Sequence, residues 1–302
     1  MLTRADKPWT NVYGLARSLI ATATLLTLLT NSTDELFRPL LIDDVGVVDR
    51  RAIVGASMFF LARNHLLFAK LLAIAVLVLV IIGWRPRLTA LPHWWISYSL
   101  AASASIIDGG DQVASTLSLL LVPVALGDRR IWHWDPPETG SLVACVAAET
   151  GLLLIRVQVA VIYLFAAVLK FPTEEWANGT ALYYWWTHPK FGTWGPFRWL
   201  TDRLGETLLV VPVTWGVLLL ELSLALALLA PIRLRTRLLP IAALFHVGIA
   251  LVHGMPSFAL TMCAALALYL WPTWRPFPLP ALLRHPAVRP ARTAEQHVSV
   301  AP

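Results

Sequence analysis

Residues 142–170 read "LVACVAAETGLLLIRVQVAVIYLFAAVLK". The run exceeds the roughly 20 apolar residues that cross the hydrocarbon core of a bilayer. Glu149, Arg156, Tyr163 and Lys170 interrupt it, each seven residues from the next. A helix drifts only about 20° over seven residues, so the four side chains lie along one seam. At about 1.5 Å per residue, Arg156 sits roughly 21 Å from Lys170 along the axis, with Tyr163 halfway. Ionisable groups inside a span are costly and face the interior of a bundle. The stretch therefore predicts one helix of a polytopic membrane protein.

The rest of the chain agrees. Of 302 residues, 57% are hydrophobic and 14% charged, against about 25% charged in soluble domains. Mean hydropathy is +0.66. Eight apolar segments are long enough to be spans: about 12–30, 67–84, 90–107, 112–127, 142–170, 206–230, 237–253 and 257–272. The fold class expected is an all-α helical bundle of about eight transmembrane helices, multi-pass in a cell membrane. The first segment follows Arg4 and Lys7 and is read as an uncleaved span. Residues 1–275 form the transmembrane domain, and 276–302, rich in proline and arginine, a disordered tail.

The net charge of +6 comes from arginines clustered between spans, at "WRPR" (84–87), "GDRR" (127–130) and "RLRTR" (233–237). This is the positive-inside pattern, not a nucleic-acid footprint, and it places both termini in the cytoplasm. Lys170 then faces outward. Cys145 and Cys263 lie in apolar runs without CxxC spacing and read as core residues. Phosphate-loop, dinucleotide and HExxH patterns are absent, and no metal is expected.

Several polar residues admit two readings. Glu221, counted from the outer end of its span near Thr207, falls at the depth of Arg156, so the two are expected to form an ion pair. That pair either fixes helix register or serves chemistry. His246 and His253 share one face, with His246 level with Tyr163; they are packing residues or part of a site. Asp108 and Asp111 flank two glycines at an outer turn and are either a solvated turn or a ligand contact. The aromatic "YYWWTHPKFGTWGPF" (183–197) is a membrane-interface belt or a peptide platform. Lys170 is an anchor or a working amine.

Three segments carry a resemblance: "PWTNVYGLARSLIATATLLTLLTN" (8–31), "DGGDQVASTLSLLLVPVALGDRRIWHW" (108–134) and "VQVAVIYLFAAVLKFPTEEWANGTAL" (157–182). Together with "FHVGIALVHGMPSF" (245–258) they resemble the sporulation-delaying protein B family. That family belongs to the HTTM group, which includes the vitamin K-dependent γ-carboxylases. The resemblance implies maturation of a secreted antimicrobial peptide toxin, or bacteriocin, with a precursor peptide and a small partner subunit. It implies a quinone or hydroquinone of the menaquinone or vitamin K type. It implies Lys170 as a base, with His246 and Tyr163 orienting it or holding the quinone head. Asp108, Asp111 and His253 are expected to meet the peptide. The carboxylases' histidine near "DGGDQ" and their large propeptide-binding domain are missing, so glutamate carboxylation is not carried over. The alternative is a non-catalytic exporter, scaffold or immunity component.

Overall fold

The computed structural model describes residues 8–38, 54–105, 107–189 and 191–278. The tail expected over 276–302 lies outside the described residues from 279 onward.

The chain is helical throughout these parts. Helix α1 (Asn11–Thr30) is followed by the short α2 (Thr33–Leu36) and α3 (Met58–Leu61), then α4 (Leu66–Ile82), α5 (Pro86–Ser103) and α6 (Gly109–Gly127). The long α7 (Leu142–Val168) leads into the short α8 (Glu174–Ala177), α9 (Ala181–Thr187) and α10 (Arg198–Gly205). Helices α11 (Val210–Leu226), α12 (Ile232–His253) and α13 (Pro256–Leu270) complete the bundle. Six of them are long and apolar enough to cross a membrane. With α5 and the shorter α13 they account for the eight expected segments.

Local chemistry sets the boundaries. Ser141 caps α7 by accepting a bond from the Ala144 amide. Asp108 and Asp111 form a reciprocal capping box at the start of α6. Gly83 ends α4 at φ +89°, a conformation that only glycine adopts freely. Small residues let helices approach closely: a Cβ on Gly151 of α7 would lie 2.7 Å from the Leu120 carbonyl of α6.

Burial sorts the helices. Helix α4 keeps much of its Leu, Val and Ile surface exposed, as a lipid-facing helix does, whereas every residue from Ala264 to Leu270 in α13 is buried. Helix α13 is the central one, packed by α1, α6, α7 and α12.

The two ends of the bundle separate as the arginine pattern requires. At one end, Thr10 Oγ1 donates to the Thr273 carbonyl, and Trp84 pairs with Trp132. At the other, the Ser105 amide donates to the Leu36 carbonyl and His253 Nδ1 to that of Phe191. At 15 residues, α13 is only about 22 Å long, short of the roughly 30 Å hydrocarbon core. Its first residues, Pro256 and Ser257, line a cleft of about 610 Å³ at the second end.

Candidate functional site

Lys170 follows α7 immediately, and its ammonium turns inward. It donates to both carboxylate oxygens of Glu221 on α11 and lies 4.8 Å from the centre of the Trp176 ring. Its side chain is 24% exposed and that of Glu221 8%. An interfacial anchor would extend its stem toward the headgroups. Lys170 is instead held between a carboxylate and an aromatic face.

This corrects the expected Arg156–Glu221 pair. Arg156 Nη2 donates to Thr273 Oγ1 at 2.7 Å, at the opposite end of the bundle. The depth argument took the outer ends of the two helices as level. They are not, because α8 and α9 fold back against the first turns of α11. Trp176, Ala181 and Leu218 form a small apolar cluster there, and a Cβ on Gly179 would lie 2.7 Å from Val211. Helix α11 thus starts well above Lys170, and Glu221, about 16 Å further down, arrives at its level.

About two helical turns inward, Tyr163 Oη and His246 Nε2 are 2.8 Å apart, and both residues are buried. His246 packs between the Phe245 and Phe258 rings, while its Nδ1 has no partner among the described residues. Tyr163 and Lys170 are seven residues apart and lie along one face of the α7 axis. The two polar pairs are therefore neighbours in one region of the α7–α11–α12 interface.

Asp108, Asp111 and His253 all line the 610 Å³ cleft, with Glu35, Asn31, Phe191 and Ser257. They are not in contact with the Lys170 pair. A second opening of about 490 Å³ is walled by Trp176, Tyr184, Trp185, His188 and Phe191. Trp176 joins it to Lys170, and Phe191 borders both openings.

An HTTM domain matches residues 118–274, which include Tyr163, Lys170, Trp176, Glu221 and His246. This chain belongs to the HTTM family. Among its relatives, sporulation-delaying protein SdpB of Bacillus subtilis (strain 168) is 40% identical over 269 residues, covering 88% of this chain and 82% of SdpB. The uncharacterized protein YitO of the same organism is 41% identical over 279 residues, covering 90% and 89%. The chain is thus an SdpB-like HTTM protein, multi-pass in a bacterial membrane. No solved structure matches it.

Two features of this HTTM protein escape a reading of the sequence. Trp176 stands in the quoted acidic-Trp-x-x-Gly element, but nothing in spacing alone brings its ring back over Lys170. Arg17, His93 and His133 are buried together at the other end of the bundle. Arg17 carried a legible signal, a cation inside an apolar span.

Proposed function

We propose that this protein acts in the maturation of a secreted peptide toxin, with Lys170 as a base at the outer side of the membrane. The observation that carries the reading is the inward placement of the Lys170 ammonium between Glu221 and Trp176. Kinship with a protein named for delaying sporulation supports the peptide-toxin setting.

A base needs a neutral amine. In this scheme the Lys170 proton passes to Glu221 along the existing hydrogen bond, leaving a lone pair on Nζ and a neutral carboxylic acid. The amine then takes a proton from the substrate. Tyr163 and His246, hydrogen-bonded to each other, fix the wall beside Glu221. The acidic cleft with Asp108, Asp111 and His253 receives the precursor peptide, and a partner subunit completes the assembly.

The quinone implied by the resemblance is a flat ring. The 490 Å³ opening, walled by Trp176, Tyr184 and Trp185, fits such a ring, with His188 as a polar contact. The Tyr163–His246 pair fits it less well, because both groups are buried and turned to each other. When bound, the quinone would supply oxidising or reducing equivalents next to Lys170.

The test compares wild type and Lys170→Arg at matched membrane levels, with the secreted peptide weighed by mass spectrometry. Arginine keeps the charge and the stem but does not lose its proton in proteins. Loss of the mature mass with normal membrane insertion is the expected result. An unchanged mass and yield would overturn the base and leave Lys170 a structural cation.

A further inference from the structure

At the end of the bundle opposite Lys170, a cation is buried without a counter-ion. Arg17 on α1 is 1% exposed. Its Nη2 donates to Thr89 Oγ1 at 2.9 Å, and its guanidinium lies 5.8 Å from the centre of the Tyr13 ring. Its Nη1 has no partner. No described acidic side chain pairs with it. Of the two acids in the α6–α7 loop, Asp128 is consumed by Arg130 through two side-chain bonds of 2.9 and 2.8 Å, and Asp135 accepts from the Trp132 amide at 3.0 Å.

Around Arg17 the protein gathers other unsatisfied polar groups. Thr89, His93 and Ser97 follow one another at four-residue spacing on α5, and so share a face. His93 Nε2 and Ser97 Oγ are buried without partners. From the α6–α7 loop comes His133, whose Nε2 lies 3.3 Å from Ser18 Oγ and whose Nδ1 is also unpartnered. The His133 ring presses so closely on Gly14 and Gly83 that a Cβ at either would overlap it. All these side chains are at most 4% exposed except Ser18.

Such a constellation is expensive as it stands. An unpaired buried ion carries a desolvation penalty that nothing offsets. Arginine cannot escape by losing its proton. Water would satisfy the hydrogen bonds but not the charge. A single negative charge satisfies both, and three of the groups can donate to it: the Arg17 guanidinium, the Ser97 hydroxyl and the His93 imidazole; His133 spends its one N–H on Ser18 Oγ, whose own hydroxyl donates to the Ile81 carbonyl.

We propose that Arg17, His93 and Ser97 form a buried site for one small inorganic monoanion of halide size, which neutralises Arg17 and ties α1 to α5, with the His133 ring closing the site from the α6–α7 loop. The site is separate from the Lys170 region and independent of the function assigned to it.

The experiment uses the full-length protein in detergent, with sodium chloride exchanged for sodium gluconate at constant ionic strength. Chloride should raise the Tm of wild type in a saturable manner. Ser97→Ala should shift half-saturation to several-fold higher chloride, and Arg17→Gln should abolish the response. Should the variants fold poorly, crystals of wild type grown in bromide decide the matter: an anomalous peak within hydrogen-bonding distance of Arg17 supports the site. Equal Tm values in chloride and gluconate, or ordered water without bromide beside Arg17, would overturn it.

Discussion

Glu221 receives the ammonium of Lys170, not the guanidinium of Arg156. This one relationship fixes the register of α11 against α7 and turns a lysine at a helix end into an interior group. Removing one partner should cost about 2–3 kcal/mol, between the 3–5 of fully buried pairs and the 1 or less of surface pairs.

Glu221→Gln and Lys170→Met should each lower the Tm of the detergent-solubilised protein. The double variant should be more stable than the sum of the two losses predicts. Combining Arg156→Leu with Glu221→Leu should show simple additivity. Strong coupling in the Arg156 cycle, with none in the Lys170 cycle, would return the pairing to the one expected from depth alone.

The Tyr163–His246 bond is buried, so its loss strands an imidazole nitrogen. Tyr163→Phe should therefore destabilise by about 1–3 kcal/mol with little change in packing. His246→Ala in the Tyr163→Phe background should add less than it does in wild type. Equal effects of His246→Ala in the two backgrounds would show that the two groups do not act as a pair.

Burial holds the His133 imidazole well below its usual pKa, and the charges of Arg17, Arg130 and His93 push the same way. The unfolded chain gains this proton near pH 6.5 while the folded chain does not. The stability is thus fully present above about pH 6.5 and is lost as pH falls toward the depressed folded value. Thermal unfolding from pH 7.5 to 5 should show Tm falling with acid, and His133→Gln should flatten that slope. A slope unchanged by the substitution would assign the acid sensitivity elsewhere.

Membrane orientation follows from the arginine loops and can be read with an impermeant thiol reagent on intact cells. Cysteine at exposed Glu206 should react, and cysteine at exposed Glu138 should not. Gly192 is a poor reporter position, since a Cβ there would collide with the His188 carbonyl. Labelling at Glu138 alone would invert the topology and move Lys170 to the cytoplasmic side.

The sequence by itself determined the class of protein, the eight helical segments and the two ends of the bundle, because apolar length and arginine placement are local quantities set by the bilayer. It also determined that Tyr163 and Lys170 share a seam, since helical periodicity needs no partner, and that His246 stands near the depth of Tyr163. What it could not determine was which cation Glu221 meets. That depended on how far α11 rises above α7, and the rise is set by the packing of Trp176, Ala181 and Gly179 against α11, a tertiary contact that no periodicity within either helix specifies. Only the tertiary structure, likewise, brought Arg17 of the first span, His93 of α5 and His133 of a loop into one dry place. No local rule links residues so distant in the chain, and their proximity arises from helix packing alone.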